Sequence, residues 1–180
     1  DRYFVTASWR RDYASRLPEG AKYGDFPAAT AAWKISNEDW FPKSSTLSQL
    51  KIRASWGRIG NLGSIGMNYA AGSLSSRNYG VEIPGYGAEG PTFCNQYWYF
   101  NTAINNRLTW ETSQQLDLGV DVDLFDDRLN IAVDYYDKLT YNLIQPQSMG
   151  WTGSIGLSAM KVNMGAIRNR GAELTIGWSD

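Results

Sequence analysis

Three aspartates at alternate positions, Asp117, Asp121 and Asp123, are the residues of this chain best placed to do chemistry. Alternate residues of a β-strand lie on one face about 7 Å apart, so these carboxylates could form an acid–base pair or a calcium site. The chain contains no His, so the usual Ser–His, Cys–His and zinc sites are absent from it. We favour the alternative that the carboxylates line a hydrated wall beside basic residues. We predict no enzyme activity, no metal site and no cofactor.

Aromatic residues offer a second kind of chemistry, because Tyr and Trp combine a flat apolar face with a polar edge that suits sugar rings or peptide side chains. They are dense in one long segment without a sustained period, at about 58–107, and a second such segment at 145–165 contains Trp151. Loops of this length are usually functional. The alternative is that the aromatics pack each loop into an ordered cap. The candidates for ligand contact are Tyr79, Tyr86, Trp98, Tyr99 and Trp151.

Charge, cysteine content and glycine spacing argue against other functions. The 17 basic and 18 acidic residues nearly cancel, and no run of Lys or Arg is present, so we predict no nucleic-acid partner. The single Cys94 can form no internal disulfide and is interpreted as an ordinary loop thiol. The run W-G-R-I-G-N at 56–61 lacks the spacing of a phosphate-binding loop, and we interpret its glycines as turn-forming.

Six segments with a two-residue period must position these groups. The clearest is 116–136, where Leu118 and Val120 alternate with Asp117 and Asp121 before an Asp-rich turn reverses the chain. One strand face is therefore aliphatic and the other acidic. The predicted strands are about 2–11, 26–36, 49–57, 111–124, 129–144 and 168–178.

The aliphatic face could contact the core of a soluble sandwich or the lipid around a membrane barrel. No apolar run approaches the roughly 18 residues of a transmembrane helix, whereas barrels cross a membrane in alternating segments of about 9 to 11 residues. The unequal links place the long loops on one side, as in an outer-membrane barrel. We therefore predict an all-β fold, with six antiparallel strands of a large up-and-down transmembrane β-barrel. A soluble extracellular carbohydrate-binding β-sandwich remains the alternative.

Aromatic residues fall at two levels, as the interfacial girdles of a barrel require. The predicted lipid-interface aromatics are Trp9, Trp56 and Trp110 near the long-loop end, and Trp33, Phe125 and Trp178 near the short-turn end. The predicted lumen-facing residues are Arg10, Lys51, Arg53, Asp117, Asp121, Asp123 and Glu173. Asp137 lies two residues after Tyr135 and so falls on the same outward, lipid-facing side of the strand. A carboxylate there must lie above the lipid band or follow a β-bulge.

Several motifs resemble, in the same order, the barrel of SusC-like (SusC/RagA) TonB-linked outer-membrane receptors. They include D-R-Y-F-V-T-A-S-W-R-R-D at 1–12, L-K-I-R-A-S-W-G-R-I-G-N at 50–61, F-D-D-R-L-N-I-A-V-D-Y-Y-D-K at 125–138 and N-M-G-A-I-R-N-R-G-A-E-L at 163–174. With two further motifs they span nearly the whole chain in register, which makes the resemblance specific.

The resemblance implies a TonB-dependent transporter, surrounded by lipid in the outer membrane of a Gram-negative bacterium, that imports nutrients such as oligosaccharides or peptides. It also implies a SusD-like surface lipoprotein as a lid, and contact with the TonB complex through an upstream plug and TonB box. Such barrels resemble the large plugged barrels of about 22 strands, so six strands are roughly a quarter of one. A passive porin would share the architecture without a plug. The chain begins at Asp1 without an initiator Met, and we expect it to be an excerpt of a longer protein.

Overall fold

The computed structural model describes residues 1–42, 46–67, 69, 74–81, 93–100, 103–147 and 160–179, and in 74–81 and 93–100 it describes the backbone. Within these ranges the chain forms ten strands and one 3-10 turn at Ile35–Asn37. The strands are β1 (Tyr3–Tyr13), β2 (Tyr23–Lys34), β3 (Leu47–Asn61), β4 (Leu74–Val81), β5 (Phe93–Phe100), β6 (Glu111–Leu124), β7 (Leu129–Tyr141), β8 (Ile144–Gln147), β9 (Met160–Asn163) and β10 (Ala166–Trp178). Among the described residues, no helix combines the length and the apolar character needed to cross a membrane.

Six strands form one antiparallel sheet in the order β1-β2-β3-β6-β7-β10. Links 14–22, 62–110 and 142–165 leave one end of the sheet, which we call the long-loop end, and links 35–46 and 125–128 leave the short-turn end. The predicted meander of six antiparallel strands, with long loops on one side, is therefore confirmed. β1 and β10 are the open edges of the sheet, so this segment does not close on itself.

Several strand boundaries differ from the sequence prediction. β2 ends at Lys34 and not at 36, because Ile35 begins the 3-10 turn. β7 ends at Tyr141 and not at 144, because Asn142 has a φ of 55° that interrupts the extended chain. β10 begins two positions earlier than predicted, at Ala166.

β3 continues through the glycine-rich run that was interpreted as a turn. It reaches Asn61, which pairs with Glu111 of β6. Gly60 is a strand residue that pairs with Thr112, and the Phe26 ring occupies the space where its Cβ would stand. Its glycine therefore provides room for a neighbouring ring and does not turn the chain.

Two short ribbons lie in links that were predicted to be irregular. β4 pairs with β5 over Leu74–Val81 and Phe93–Phe100, and β8 pairs with β9. In the first ribbon the sequence mixes polar and aromatic residues at both parities, so it lacks the apolar–polar alternation that marks a half-buried strand.

Buried apolar side chains concentrate at the long-loop end. Leu17 and Leu108 are fully buried there. We call the group to which they belong the rim cluster. Its members are Ala14, Leu17, Leu62, Ile65, Tyr69, Leu108 and Ile144. Because these residues come from all three long links, the links pack against one another at their bases.

At the short-turn end, one buried carboxylate is surrounded by hydrogen-bond donors. Glu38 accepts hydrogen bonds at Oε1 from the Tyr3 hydroxyl (2.5 Å) and from Trp33 Nε1 (3.0 Å), and Arg2 Nη1 donates to Oε2 at 3.2 Å. The Tyr3 and Trp33 rings stack with centroids 6.1 Å apart. The hydrogen bonds from Tyr3 and then Trp33 hold the pKa of the Glu38 carboxyl below its ordinary value, against the opposing effect of burial. Glu38 thereby docks link 35–46 onto β1 and β2.

We expect Glu38→Gln to destabilise the full-length protein in a pH-dependent manner. A carboxyl whose folded-state pKa is depressed contributes stability above its unfolded value, here near 4.5, and this contribution is lost as the pH falls through the lower folded-state pKa. Urea unfolding at a series of pH values measures the difference in free energy of unfolding between wild type and variant. This difference should be largest near pH 7 and decrease in acid.

Asp39→Asn is the matched control, because the Asp39 side chain is 87% exposed although it also pairs with Arg2. Exposed ion pairs contribute little, so this variant should unfold close to wild type at every pH. A Glu38→Gln effect of constant size from pH 7 down to pH 3 would contradict the proposed role of the carboxylate.

Candidate functional site

The six-stranded sheet has one apolar and one polar face, defined by the pairing register. In one row across the sheet, Val120 of β6 lies between Ile52 and Val133, and Leu174 follows on β10. The adjacent row, one residue along each strand, belongs to the polar face. The structure places all the residues predicted to face a lumen at positions of the polar face: Arg10, Lys51, Arg53, Asp117, Asp121, Asp123 and Glu173.

An arginine bridges three strands at the centre of the polar face. Arg53 of β3 makes a bidentate pair with Asp121 of β6, Nε and Nη2 each lying 2.9 Å from a carboxylate oxygen. Its Nη2 also lies 2.9 Å from Oδ1 of Asp134 on β7. Lys51 Nζ approaches Asp121 at 3.9 Å. Bidentate guanidinium–carboxylate pairs are geometrically specific, so this bridge fixes how three strands lie against one another.

A glycine makes this bridge sterically feasible. Gly119 stands between Arg53 and Asp134 in the same row of the sheet. A Cβ at this position would lie 2.5 Å from Asp134 Oδ1 and 2.8 Å from Arg53 Cζ. Because Gly119 has no side-chain carbon, the Arg53 guanidinium has room to cross β6 and reach Asp134. Sequence reasoning missed Asp134 and Gly119, although the alternation in 129–136 assigns Asp134 the parity of the other inward residues.

The aspartates of β6 are each engaged separately and do not converge. Asp117 accepts hydrogen bonds from Ser55 Oγ (3.0 Å) and Gln115 Nε2 (2.7 Å), and Asp123 accepts one from Asn130 Nδ2 (2.8 Å). Within the described part of the chain, no group of three or more His, Cys, Asp or Glu side chains could hold a metal ion. The geometry thus suits a hydrated wall of separately hydrogen-bonded carboxylates better than a calcium or acid–base site.

The two remaining predicted residues lie nearer the margins of the polar face. Arg10 stacks over the Phe26 ring, with Cζ 5.7 Å from its centroid, and pairs with Asp12 at 2.9 Å. Glu173 is exposed on the edge strand β10, in register with Asp134.

An aromatic pair connects the polar face to the rim cluster. Phe26, 6% exposed, meets Trp110 edge-to-face with ring centroids 5.4 Å apart. The Phe26 ring lies over Gly24 and Gly60, where any Cβ would overlap it. Trp110 packs against the rim cluster and donates from Nε1 to the backbone oxygen of Ala21 at 3.0 Å. The structure therefore packs Trp110 between Phe26 and the rim cluster, and its role as a lipid-interface aromatic stays a prediction.

Side-chain clamps tie the long links to the rim cluster. Asn163 Nδ2 donates to the backbone oxygens of Thr109 and Asn142, both at 2.9 Å, and its Oδ1 accepts from Thr109 N at 2.7 Å. Arg16 Nη1 donates to Ile65 O at 3.0 Å. These bonds join the bases of all three links, so the described part of the rim is an ordered structure.

The other predicted interface aromatics lie on the apolar side of the sheet or at its turn. Trp9, Trp33, Trp56 and Trp178 occupy apolar-face positions of their strands. Phe125 begins the turn of β6–β7 with a φ of 57° and is 47% exposed. Sequence reasoning missed Tyr3, which stacks on Trp33 at the short-turn end and was hidden by its position beside the first residues of the chain.

Three of the predicted ligand-contacting aromatics lie in the β4–β5 ribbon, and the other two lie outside the described residues. Tyr79 of β4 pairs with Asn95, and Trp98 and Tyr99 of β5 pair with Ser76 and Ser75. Tyr86 and Trp151 lie outside the described residues. Ligand contact by these five residues stays a prediction.

No second layer covers the apolar face within the described residues. Val5 is 79% exposed, Leu174 and Ile176 are each 63% exposed, and Val133 is 45% exposed. In a β-sandwich the inner faces of two sheets bury such side chains against one another. This arrangement disfavours the sandwich alternative.

Comparisons with known proteins identify what this architecture is similar to. The family model described as "TonB dependent receptor-like, beta-barrel" matches residues 1–179. TonB-dependent receptor P3 of Formosa agariphila is 35% identical over 175 residues, covering 97% of this chain and 16% of the relative. TonB-dependent receptor SusC of Bacteroides thetaiotaomicron is 28% identical over 180 residues, covering 98% of this chain and 17% of that protein.

Solved structures share the fold. The RagAB peptide importer in its open-open state superposes with a TM-score of 0.79 at 24% identity, covering 98% of this chain and 18% of that chain. Its closed-closed state gives a TM-score of 0.78. The chain thus spans less than a fifth of the length of the proteins described here.

Proposed function

Because the chain belongs to the TonB-dependent receptor-like β-barrel family, we propose that it forms part of the barrel wall and external loops of an outer-membrane transporter for nutrients. The apolar face contacts lipid and the polar face lines the lumen. The long-loop end lies outside the cell, and the short-turn end lies on the periplasmic side.

The observation that carries this proposal is the pairing of an uncovered aliphatic face with a charged face bridged by Arg53. An exposed apolar surface this continuous is a liability in water but is the natural surface toward hydrocarbon. On the opposite face charges of both signs are interspersed, and Arg53 is paired with Asp121 at 2.9 Å and with Asp134. Polar cargo there meets hydrogen-bonding groups and water, and no strong field of one sign.

We further propose that a TonB complex drives import, that a SusD-like lipoprotein closes over the rim, and that the cargo is an oligosaccharide or a peptide. Similarity to SusC supports the lipoprotein partner and the energy source. The shared fold with a structure titled a peptide importer supports peptides as one cargo class. Contact between the cargo and Tyr79, Tyr86, Trp98, Tyr99 or Trp151 belongs to the same proposal, because stacking on these rings suits both cargo classes.

Cell fractionation tests the location. We expect the full-length protein, expressed in a Gram-negative host, to be recovered in the outer membrane and to resist extraction by alkaline carbonate. Recovery in the soluble periplasm would instead favour the carbohydrate-binding sandwich. Uptake of a candidate oligosaccharide or peptide that persists at the wild-type rate after TonB is deleted would favour a passive porin.

A further inference from the structure

The backbone pairing between β2 and β3 stops short of the long-loop end. Its last pair is Ala28 and Gly57, whereas the β1–β2 and β3–β6 pairings continue to the ends of those strands. Residues 23–27 of β2 and 58–61 of β3 therefore lie beyond the end of the β2–β3 ladder, and we call this interruption the seam. Because β2 and β3 are interior strands, no strand that joins the open edges of the sheet in the full-length protein can fill it.

A proline explains where the ladder ends. Lys34 N donates to Arg2 O just beyond one end of the β1–β2 ladder, and Ala14 N donates to Lys22 O just beyond the other. Even-numbered residues of β2 therefore bond to β1, and odd-numbered residues direct their backbone N–H and C=O groups toward β3. Pro27 has an odd number and no N–H. The residue that follows the last pair thus cannot donate to β3, as expected where a proline interrupts a sheet.

Two aromatic rings fill the seam in place of a ladder. The Phe26 ring overlaps the positions that Cβ atoms of Gly24 on β2 and of Gly60 on β3 would take, so it lies between the two strands. Trp110 Cε2 and Cε3 lie 3.0 Å and 2.8 Å from the same two positions. Trp110 also donates to Ala21 O, in the link that precedes β2. Side-chain contacts therefore replace backbone pairing across the seam.

The long-loop ends of β1 and β2, with the link between them, form a unit that we call the rim hairpin, residues 9–27. Backbone pairing holds this hairpin together internally. Across the seam, Arg16 Nη1 donates to Ile65 O, in the link that follows β3, at 3.0 Å, and Leu17 is fully buried in the rim cluster. Because side-chain contacts hold the hairpin against the β3 side, it can separate from that side without breaking a ladder.

The seam begins just above the margin of the lipid band. Asp137 stands level with Trp56 and Ala29 in ladders without a register shift, so it faces outward at this margin without a bulge. Pro27 lies two residues beyond Ala29, toward the long-loop end. Within hydrocarbon, each unpaired backbone group would cost several kcal/mol, whereas above this margin water hydrates such groups. The seam therefore lies where a break in pairing costs little.

We propose that the seam is a hinge of the barrel mouth, at which the rim hairpin swings away from β3 and β6, with the Phe26–Trp110 pair as its latch. The latch is closed in this structure. Opening exposes Leu17 and widens the mouth between the first and second long links. The inference goes beyond the proposed function and rests on it for the position of the seam above the lipid.

Thiol labelling of the purified full-length protein in detergent tests the hinge. Cys94→Ser removes the only thiol of this segment, and peptide mapping locates the label. In this background we compare Leu17→Cys with Ile35→Cys, a buried position at the short-turn end. Local opening exposes one region of a folded protein more often than another, so we expect a bulky maleimide to react at Leu17→Cys at least about tenfold faster.

Substitutions in the seam separate its opening from motion of the link alone. Trp110→Phe keeps a ring but loses the hydrogen bond to Ala21 O, and we expect labelling of Leu17→Cys to become about fivefold faster, the effect of one hydrogen bond. Pro27→Ala supplies the missing N–H and should slow labelling by about the same factor. Trp56→Phe is the matched control, because Trp56 lies within the paired part of β3, and should leave the rate unchanged.

Several outcomes would overturn the hinge. These are equal labelling of Leu17→Cys and Ile35→Cys, rates that neither Trp110→Phe nor Pro27→Ala changes, and an equal effect of Trp56→Phe. Heat-dependent gel migration verifies that each variant is folded. If Leu17→Cys does not fold, Ala14→Cys reports on the same cluster with a smaller change of side chain. Recovery of the protein from the soluble periplasm rejects the proposed function, whereas an outer-membrane protein with equal labelling rejects the hinge alone.

Discussion

Val133→Arg should lower the free energy of unfolding of the full-length protein by about 2–4 kcal/mol, the cost of a cation near the midplane of a barrel's lipid face. Val133 lies between Val120 and Leu174 in a row of the apolar face. It is four positions from the short-turn end of β7 at Leu129 and four from Asp137, so a side chain at this depth reaches neither interface easily. Urea unfolding in lipid vesicles gives the free energy, and the amount of folded protein in outer membranes should fall with it.

Ala132→Arg is the matched control because the two positions are adjacent and the substitutions add the same charge. Ala132 is paired with Asp121 and Thr175, on the polar face. A guanidinium there enters the hydrated lumen beside a carboxylate, and we expect a change of less than about 1 kcal/mol. Equal costs at both positions, or a larger cost at Ala132, would show that the apolar face does not contact lipid.

The strand faces could be predicted from the sequence because a two-residue period is a local property of the chain. Leu118, Val120 and their neighbouring aspartates reveal it without knowledge of any partner strand. Link lengths are equally local, and they sufficed to predict which loops share an end. The structure confirms this part of the fold.

Contacts between strands could not be predicted in this way, because they depend on register. Arg53 and Asp134 are 81 positions apart and meet only because Gly119 stands between them in the paired sheet. A glycine at a polar-face position, with a long cation on one neighbouring strand and a carboxylate on the other, is the signal that would have identified the bridge. Reading it requires the pairing of three strands.

Trp110 shows the corresponding limit for aromatic residues. Its place at the long-loop end of a strand is also the place of an interface tryptophan. Trp110 packs on Phe26 of β2 and donates a hydrogen bond to Ala21 O in link 14–22, and these contacts could not be predicted from its position along the chain. Phe26 itself has the parity of the polar face, and a large apolar residue at such a position is a signal of packing against a rim.

The rings of Phe26 and Trp110 fill the space beside Gly60, so a side chain added at this position should destabilise the protein. We expect Gly60→Ala to destabilise the full-length protein by about 1–3 kcal/mol, the usual cost of overpacking. In an unobstructed strand the same change would be favourable, since glycine is the weaker strand residue. At Gly60 the added methyl would overlap the Phe26 ring and lie 2.8 Å from Trp110 Cε3. A planar ring that is 6% exposed cannot turn aside as a flexible side chain can.

Gly66→Ala is the control, because no atom lies within 4 Å of the position of its Cβ. This variant should unfold like wild type. Displacement of Phe26 by Gly60→Ala should also loosen Trp110 from the rim cluster, so Gly60→Ala should make the long links more sensitive to protease in intact outer membranes, and Gly66→Ala should not.

A double-mutant cycle separates steric overlap from a general loss of strand stability. Phe26→Leu removes the ring atoms that the new methyl would meet, so Gly60→Ala should cost less in that background than in wild type, by at least about 0.5–1 kcal/mol. If the costs were additive, the Phe26 ring would not be the reason that position 60 is glycine. A favourable coupling, together with recovered protease resistance, would show that the ring, the glycine and the rim form one packing unit that holds the bases of the long links in place.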